Sequence, residues 1–350
     1  MNQGGIRGFA NEIGLLFGSP GLAIAAMNLS RIILVSVLCI FLSQTVFADW
    51  VKQESGTLAW LHSIYFVDDD NGWIVGSNGT LLSTRDGGRT WEKEKTKTGD
   101  TFRDVYFADR QNGWILCERS VYRSGGARPS YLMRTWNGGK DWESVDFAEG
   151  KERMVRFFFS RNGTGFAIGE GGVILQMQND NENWKRLPLP IRYLILDGMF
   201  TDELNGILVG GGGTILNTTN GGATWNEPRF PLRSVRTKLN AIDFVDRKTG
   251  WAAGGKGKIV STNDGGKVWR EQTSNVTADL FDIAFVDARI GFAVGDSGTI
   301  VRTENAGATW RLEATGSKHK LERVSFSGDR GFAVGFGGTI LTTKINRNGR

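Results

Sequence analysis

The sequence predicts an all-β fold, a seven-bladed propeller closed by its own N-terminal strand, on three observations. One phrase recurs seven times past residue 60, its tryptophans keep a period in the low forties, and its last copy lacks the final strand. A period of that length built from four short β segments is the spacing of a propeller blade.

Composition agrees. The 350 residues include 49 Gly and 12 Trp but only 6 Pro, a balance that suits many short strands joined by tight turns rather than a helical bundle. The clearest copies run from Ile64 to Trp91, from Ile242 to Trp269 and from Ile283 to Trp310. Weaker copies begin near Val105, Val155 and Met199, and a last one starts at Val324. Trp184, Trp225, Trp269 and Trp310 stand 41, 44 and 41 residues apart. Trp91 and Trp142 stand 51 apart, so the second copy carries an insertion of roughly ten residues.

Within a copy the first strand alternates apolar residues, as at Ile64 and Phe66. The second spans Gly72 to Gly76, the third Gly79 to Leu82, and the fourth begins at the Thr90-Trp91 pair. Glycines at the strand ends permit the positive φ of the turns.

The seventh copy stops after Thr343 without its tryptophan. The segment Asp49-Trp50-Val51-Lys52 resembles Thr90-Trp91-Glu92-Lys93 and lies one 41-residue period before it. Residues 50–53 are therefore expected to pair with the strand near Gly338 to Thr342, closing the ring and covering two raw sheet edges.

Upstream, Met27 to Asp49 reads as a secretory signal, with Arg31 in the n-region, Ile32 to Leu42 as the apolar core and Val46-Phe47-Ala48 as the cleavage site. The apolar stretch is short for a membrane span, which needs about 20 residues. The expected organisation is residues 1–48 as an extension with its signal at 27–48, then a single propeller over 49–350. The mature protein is expected to be exported, to the periplasm, a lumen or the outside. Past Cys39, Cys117 is the one remaining cysteine, so an internal disulfide is excluded.

Between third and fourth strands lies Thr-x-Asp/Asn-x-Gly followed by Trp. It places Asp86 with Trp91, Asn137 with Trp142, Asn220 with Trp225, Asp264 with Trp269, and Asn305 with Trp310. This resembles the Asp-box, or BNR, repeat of sialidase-like propellers. A metal- or sugar-binding role at Asp86 is the functional alternative. Five copies around a ring cannot be one active site, so the motif reads as structural, with the Asp or Asn accepting turn N–H groups and the Trp lying between blades.

Catalysis finds little support. Histidine occurs at His62 and His319 alone, too few for a Ser/His/Asp set or a His/Cys metal cluster. Glu170 and Glu182 are carboxylates, but nothing marks them as a glycosidase pair. No enzyme, no cofactor and no metal is expected.

The blade phrase NGWIVGSNGTLLSTRDGGRTW, residues 71 to 91, resembles that of the photosystem II stability and assembly factor family of seven-bladed propellers, and the resemblance covers residues 49 to 343. It implies a lumenal or periplasmic assembly factor that binds a membrane-protein precursor, the D-one reaction-centre subunit in phototrophs. The alternative is a sugar-active propeller, either glycoside hydrolase or lectin.

The net charge is +5, and its excess gathers in one set of loops. Second-to-third-strand turns and blade connectors open on the same face of a propeller. On that face the second-blade insertion, Glu118 to Arg134, carries Arg123, Arg128 and Tyr131. The later connectors add Arg192, and then Arg229, Phe230, Arg233 and Arg236. Arginine interleaved with aromatic residues is typical of binding hot spots. These eight residues are the expected contacts of a protein partner. Nucleic acid is not expected for an exported protein, peripheral membrane association is compatible with the charge, and the ring is expected to be monomeric.

Overall fold

The computed structural model describes residues 50–120, 129–147, 151–178, 183–228 and 236–345. The expected signal at 27–48 lies outside them.

Seven antiparallel sheets follow one another along the chain. Blade 1 comprises Leu61–Phe66, Gly72–Gly76, Thr80–Thr84 and Glu92–Lys93. Blade 2 comprises Thr101–Phe107, Gly113–Glu118, Ser130–Thr135 and Glu143–Asp146. Blade 3 comprises Met154–Phe159, Gly165–Gly169, Val173–Met177 and Trp184–Leu187. Blade 4 comprises Ile195–Phe200, Gly206–Gly210 and Ile215–Thr218, with its fourth segment reduced to one bridge between Asn217 and Asn226. Blade 5 comprises Leu239–Phe244, Gly250–Gly254, Ile259–Thr262 and Arg270–Gln272. Blade 6 comprises Leu280–Phe285, Gly291–Gly295, Ile300–Thr303 and Arg311–Leu312.

Blade 7 takes Leu321–Ser327, Arg330–Gly335 and Ile340–Lys344 from the C-terminal region and Val51–Gln53 from the other end. The closing register pairs Val51 with Thr342, Lys52 with Leu341 and Gln53 with Ile340. That is the closure expected from the tryptophan period. The fourth strands begin one residue beyond the tryptophans in blades 1, 2, 5 and 6, because the Asp-box turn runs through the Trp before the ladder resumes.

The core is divided among the seams. Each of the seven apolar clusters joins two neighbouring blades. The fourth-segment tryptophan of every blade enters the seam with the blade before it: Trp91, Trp142, Trp184, Trp225, Trp269 and Trp310 in blades 1 to 6. Trp50 does the same for blade 7, buried at 1 % exposure with its ring 5.7 Å from Phe292 and edge-on to it. The closing strand thus inserts a core side chain besides its ladder bonds. Three seams also hold rings stacked from blade to blade, Trp73 on Phe107 and Trp251 on Phe285 at 3.5 Å between centroids and Tyr106 on Phe159 at 4.4 Å.

The Asp-box turns consume their own polar atoms. The Thr84 hydroxyl donates to Asp86 Oδ1 at 2.8 Å and accepts the Gly88 N–H at 2.9 Å, while Asp86 Oδ1 accepts the Thr90 N–H at 3.0 Å. The same lattice recurs at Asn137, Asn220, Asp264 and Asn305. Gly88 sits at φ +72°, where a Cβ would also lie 2.5 Å from the Phe332 ring of the preceding blade, so no larger residue fits there.

One deviation from ideal strands governs the site. In all seven first strands the register slips across one residue near the start, a β-bulge; it is the second residue in six strands and the third, Arg103, in blade 2. The residue before each bulge is buried: Leu61, Phe102, Met154, Ile195, Leu239, Leu280 and Leu321. The extra residue that follows escapes the sheet's alternation.

Candidate functional site

The seven bulged residues are His62, Arg103, Val155, Leu196, Asn240, Phe281 and Glu322, and all of them line one central cavity of about 330 Å³. The residues preceding the first strands, among them Trp60, Arg153, Leu194, Lys238 and Lys320, form its mouth. Antiparallel order puts this mouth on the face of the blade connectors, opposite the Asp-box turns. Each blade therefore contributes one residue of unrelated chemistry to a common cup.

Below them lies a polar ring made by the residues that follow the bulges in six of the blades. It reads Ser63, Asp104, Arg156, Asp197, Asp282 and Arg323, while Ala241 at the blade 5 position packs into the apolar seam with blade 6. Arg156 bonds Asp197 at 2.5 Å, Arg323 reaches Asp104 at 3.5 Å and Asp282 at 4.0 Å, and Ser63 donates to Asp104 at 2.8 Å. The carboxylates also stitch blade to blade. Asp197 Oδ2 accepts the Ile242 N–H and Asp282 Oδ2 the Val324 N–H, both at 2.9 Å. Asp243, two residues further down its strand, accepts the Phe285 N–H at 2.7 Å.

Burial dominates the electrostatics of this ring. It pushes the Asp282 carboxyl up to about 8 and that of Asp243 up to about 6. Asp104 and Asp197 are raised in the same direction, each by burial opposed by Arg156. Burial disfavours the Arg156 charge, but Asp197, Asp104 and Asp282 outweigh it and hold the guanidinium above its usual value. At the cup wall, burial first and then Arg103 and Lys320 lower the His62 pKa to about 3, so its imidazole is neutral near pH 7.

Six cations and one carboxylate line the cup, yet each cation has a carboxylate partner. Glu118 lies between Arg103 at 2.6 Å and Arg153 at 3.3 Å, and Glu170 takes the Arg153 Nε at 2.9 Å. Lys320 bonds Glu322 at 2.9 Å and Lys238 bonds Asp279 at 3.3 Å. The wall alternates charge rather than presenting a bare positive field.

Of the contacts expected from sequence, Arg192 and Arg236 lie exposed in the blade connectors, Arg192 beside the exposed Tyr193 and in a hollow separate from the cup. Arg123, Arg128, Arg229, Phe230 and Arg233 fall outside the described residues. Tyr131 is corrected. It is buried at 4 % exposure, its hydroxyl donates to Asp100 at 2.9 Å and Arg119 covers its ring at 4.1 Å. The reason is that the insertion is not all loop: the strands run on to a Glu118–Ser130 pair, and Tyr131 is the second residue of a strand. Glu170 is engaged by Arg153, and Glu182 lies outside the described residues.

A ring of Asp-box blades closed by its N-terminal strand, with a cup of seven different side chains on the connector face, defines a seven-bladed propeller of the Asp-box class. Within that class the chain belongs to the photosynthesis system II assembly factor YCF48 family, whose profile matches residues 42–151, 176–274 and 269–348. Among solved structures it is similar to YCF48 bound to D1 peptide, at 22 % identity and a TM-score of 0.70, covering 86 % of this chain and 98 % of that one. YCF48 from Cyanidioschyzon merolae is also similar, at 22 % identity and 0.68, covering 84 % and 98 %. Virginiamycin B lyase from Staphylococcus aureus shares the fold at 11 % identity and 0.68, covering 85 % and 99 %. No curated protein matches the chain.

Proposed function

We propose that this protein is a non-catalytic assembly factor that is exported by its segment 27–48 and holds a peptide segment of a membrane-protein precursor in the central cup. The observation that carries the reading is the bulge repeated in all seven first strands, which turns seven different side chains into one cavity. A structural ring has no need of seven different residues at one repeated bulge, whereas a binding site needs variety on a rigid support. The matching solved structure named for its D1 peptide makes the D1 subunit the first partner to test.

A sugar-active role fits less well. The Trp60 ring, the largest aromatic at the mouth, has Phe336 edge-on at 5.5 Å, His62 at 5.2 Å and the Lys320 ammonium at 5.0 Å, which leaves little open face for a pyranose to stack on. Each acid beside the cup is committed to a cation. The Asp-box oxygens are consumed within their turns.

The test is titration of a fluorescent D1 peptide against the wild type and a Val155→Trp, Leu196→Trp double variant that fills the cup. The wild type should bind, the filled cup should not, and both should melt at similar temperatures. Equal binding by the two proteins would overturn the placement in the cup. Changing Arg192 and Arg236 to Glu should weaken binding less and reduce its sensitivity to salt.

A further inference from the structure

The cup has two unlike walls. On the side of blades 2 and 3, Arg103 and Arg153 share Glu118 and Glu170, and their apolar neighbour is the aliphatic Val155. On the side of blades 5 to 7 and 1, two lysines converge on one aromatic ring. The Lys320 ammonium lies 3.8 Å and the Lys238 ammonium 5.5 Å from the centre of Phe281. Lys320 is also 5.0 Å from the Trp60 ring, whose edge meets Phe336, and Phe336 is half exposed at the mouth.

Resting on the placement of a peptide in this cup, we propose that the lysine wall is its selective subsite and takes an acidic side chain next to a large apolar one. The carboxylate would bridge Lys238 and Lys320, and the neighbouring apolar side chain would lie on the half-exposed Phe336 ring where it meets Trp60. An ammonium carries three donors, and Glu322 or Asp279 engages one on each lysine, so a ligand carboxylate enters as a further acceptor without evicting the resident partner. Asp279 is moreover held outward, since its Oδ1 accepts the Lys256 N–H at 2.8 Å. The Arg wall lacks the adjoining aromatic ledge. It offers charge but, among the described residues, no ring shared by two of its cations as Lys238 and Lys320 share Phe281.

The experiment selects binders from a displayed random heptapeptide library on the immobilised full-length protein. Its variants are Lys238→Met with Lys320→Met, Arg103→Met with Arg153→Met, and the Trp-filled cup. Enriched peptides should carry Asp or Glu beside Phe, Leu, Ile or Trp. Their affinity should fall roughly tenfold or more in the lysine variant, as for loss of a charged hydrogen bond, and change less in the arginine variant. Binders that are lost with the filled cup but show no such pair, or that ignore the lysine variant, would overturn this subsite and leave the cup standing. Enriched peptides that bind the filled cup equally well would overturn the cup itself. Melting curves of all variants separate misfolding from lost binding.

Discussion

The two faces of the ring are built on opposite principles. On the Asp-box face, each of the five boxes repeats one hydrogen-bond pattern, Thr to Asp or Asn to the turn, and its tryptophan enters the same seam position. On the connector face the bulged column holds histidine, arginine, valine, leucine, asparagine, phenylalanine and glutamate, with no two blades alike. Repetition marks what every blade needs in order to adhere to its neighbour. Variation, in a column of fixed geometry, marks what the ring presents to something else.

The comparison is tested most severely at its structural end. Deleting residues 50–53 removes the Trp50 anchor and the closing ladder, and should cost more than the about 3–5 kcal/mol of a buried-aromatic truncation. Calorimetry of the deletion checks this, and an unchanged melting temperature would remove the N-terminal strand from the closure. Trp225→Ala should cost about 3–5 kcal/mol on its own and leave peptide binding by the surviving folded fraction intact.

The ring beneath the cup should be nearly as sensitive. Asp197→Ala strips Arg156 of its nearest partner and the Ile242 N–H of its acceptor, at a cost of about 3–5 kcal/mol by chemical denaturation. A loss well under 1 kcal/mol would mean that water replaces the carboxylate.

A pH series sharpens the contrast further. The folded pKa of Asp282 is raised to about 8, so the folded state holds a proton that the unfolded chain has released. Its contribution to stability is complete below the unfolded value near 3.9 and is lost as pH rises through about 8. Relative to Asp282→Asn, the wild type should therefore lose stability between pH 4 and 8, by at most about 1.4 kcal/mol per pH unit. Melting temperatures that stay parallel across that range refute a buried, protonated Asp282.

The smallest effect is expected at Asp86→Asn. Asn already serves the same turn at positions 137, 220 and 305, so stability should change by less than about 0.5 kcal/mol in a denaturant titration. A large loss would give Asp86 a role that its siblings lack.

The fold was legible because a blade is written seven times. Gly72–Gly76 emerged with the bounds read from sequence, and Trp50 announced the closing strand by its distance from Trp91. The site was less legible for a physical reason. Alternation assigns a side chain to one face of a strand, and a bulge breaks the alternation at the very residue that enters the cup. His62 thus read as an ordinary surface or packing residue. The available signal was the variability of its column beside the uniformly apolar one before it. Tyr131 failed differently, because the strand beginning at Ser130 hid inside what looked like an inserted loop.

The closing register also sets a timetable. Val51 pairs with Thr342, so the first strand to emerge must wait for nearly the last. Blades 1 to 6 can assemble as the chain lengthens, each on the one before, but the circle shuts in a single late event after synthesis has passed residue 342. Long-range pairings of this kind are slow to form. Until then Trp50 and the outer edge of blade 7 have no cover. Refolding should accordingly show early sheet formation followed by a slower change in tryptophan fluorescence, and a partner bound across the cup would reach all seven blades and favour the closed circle.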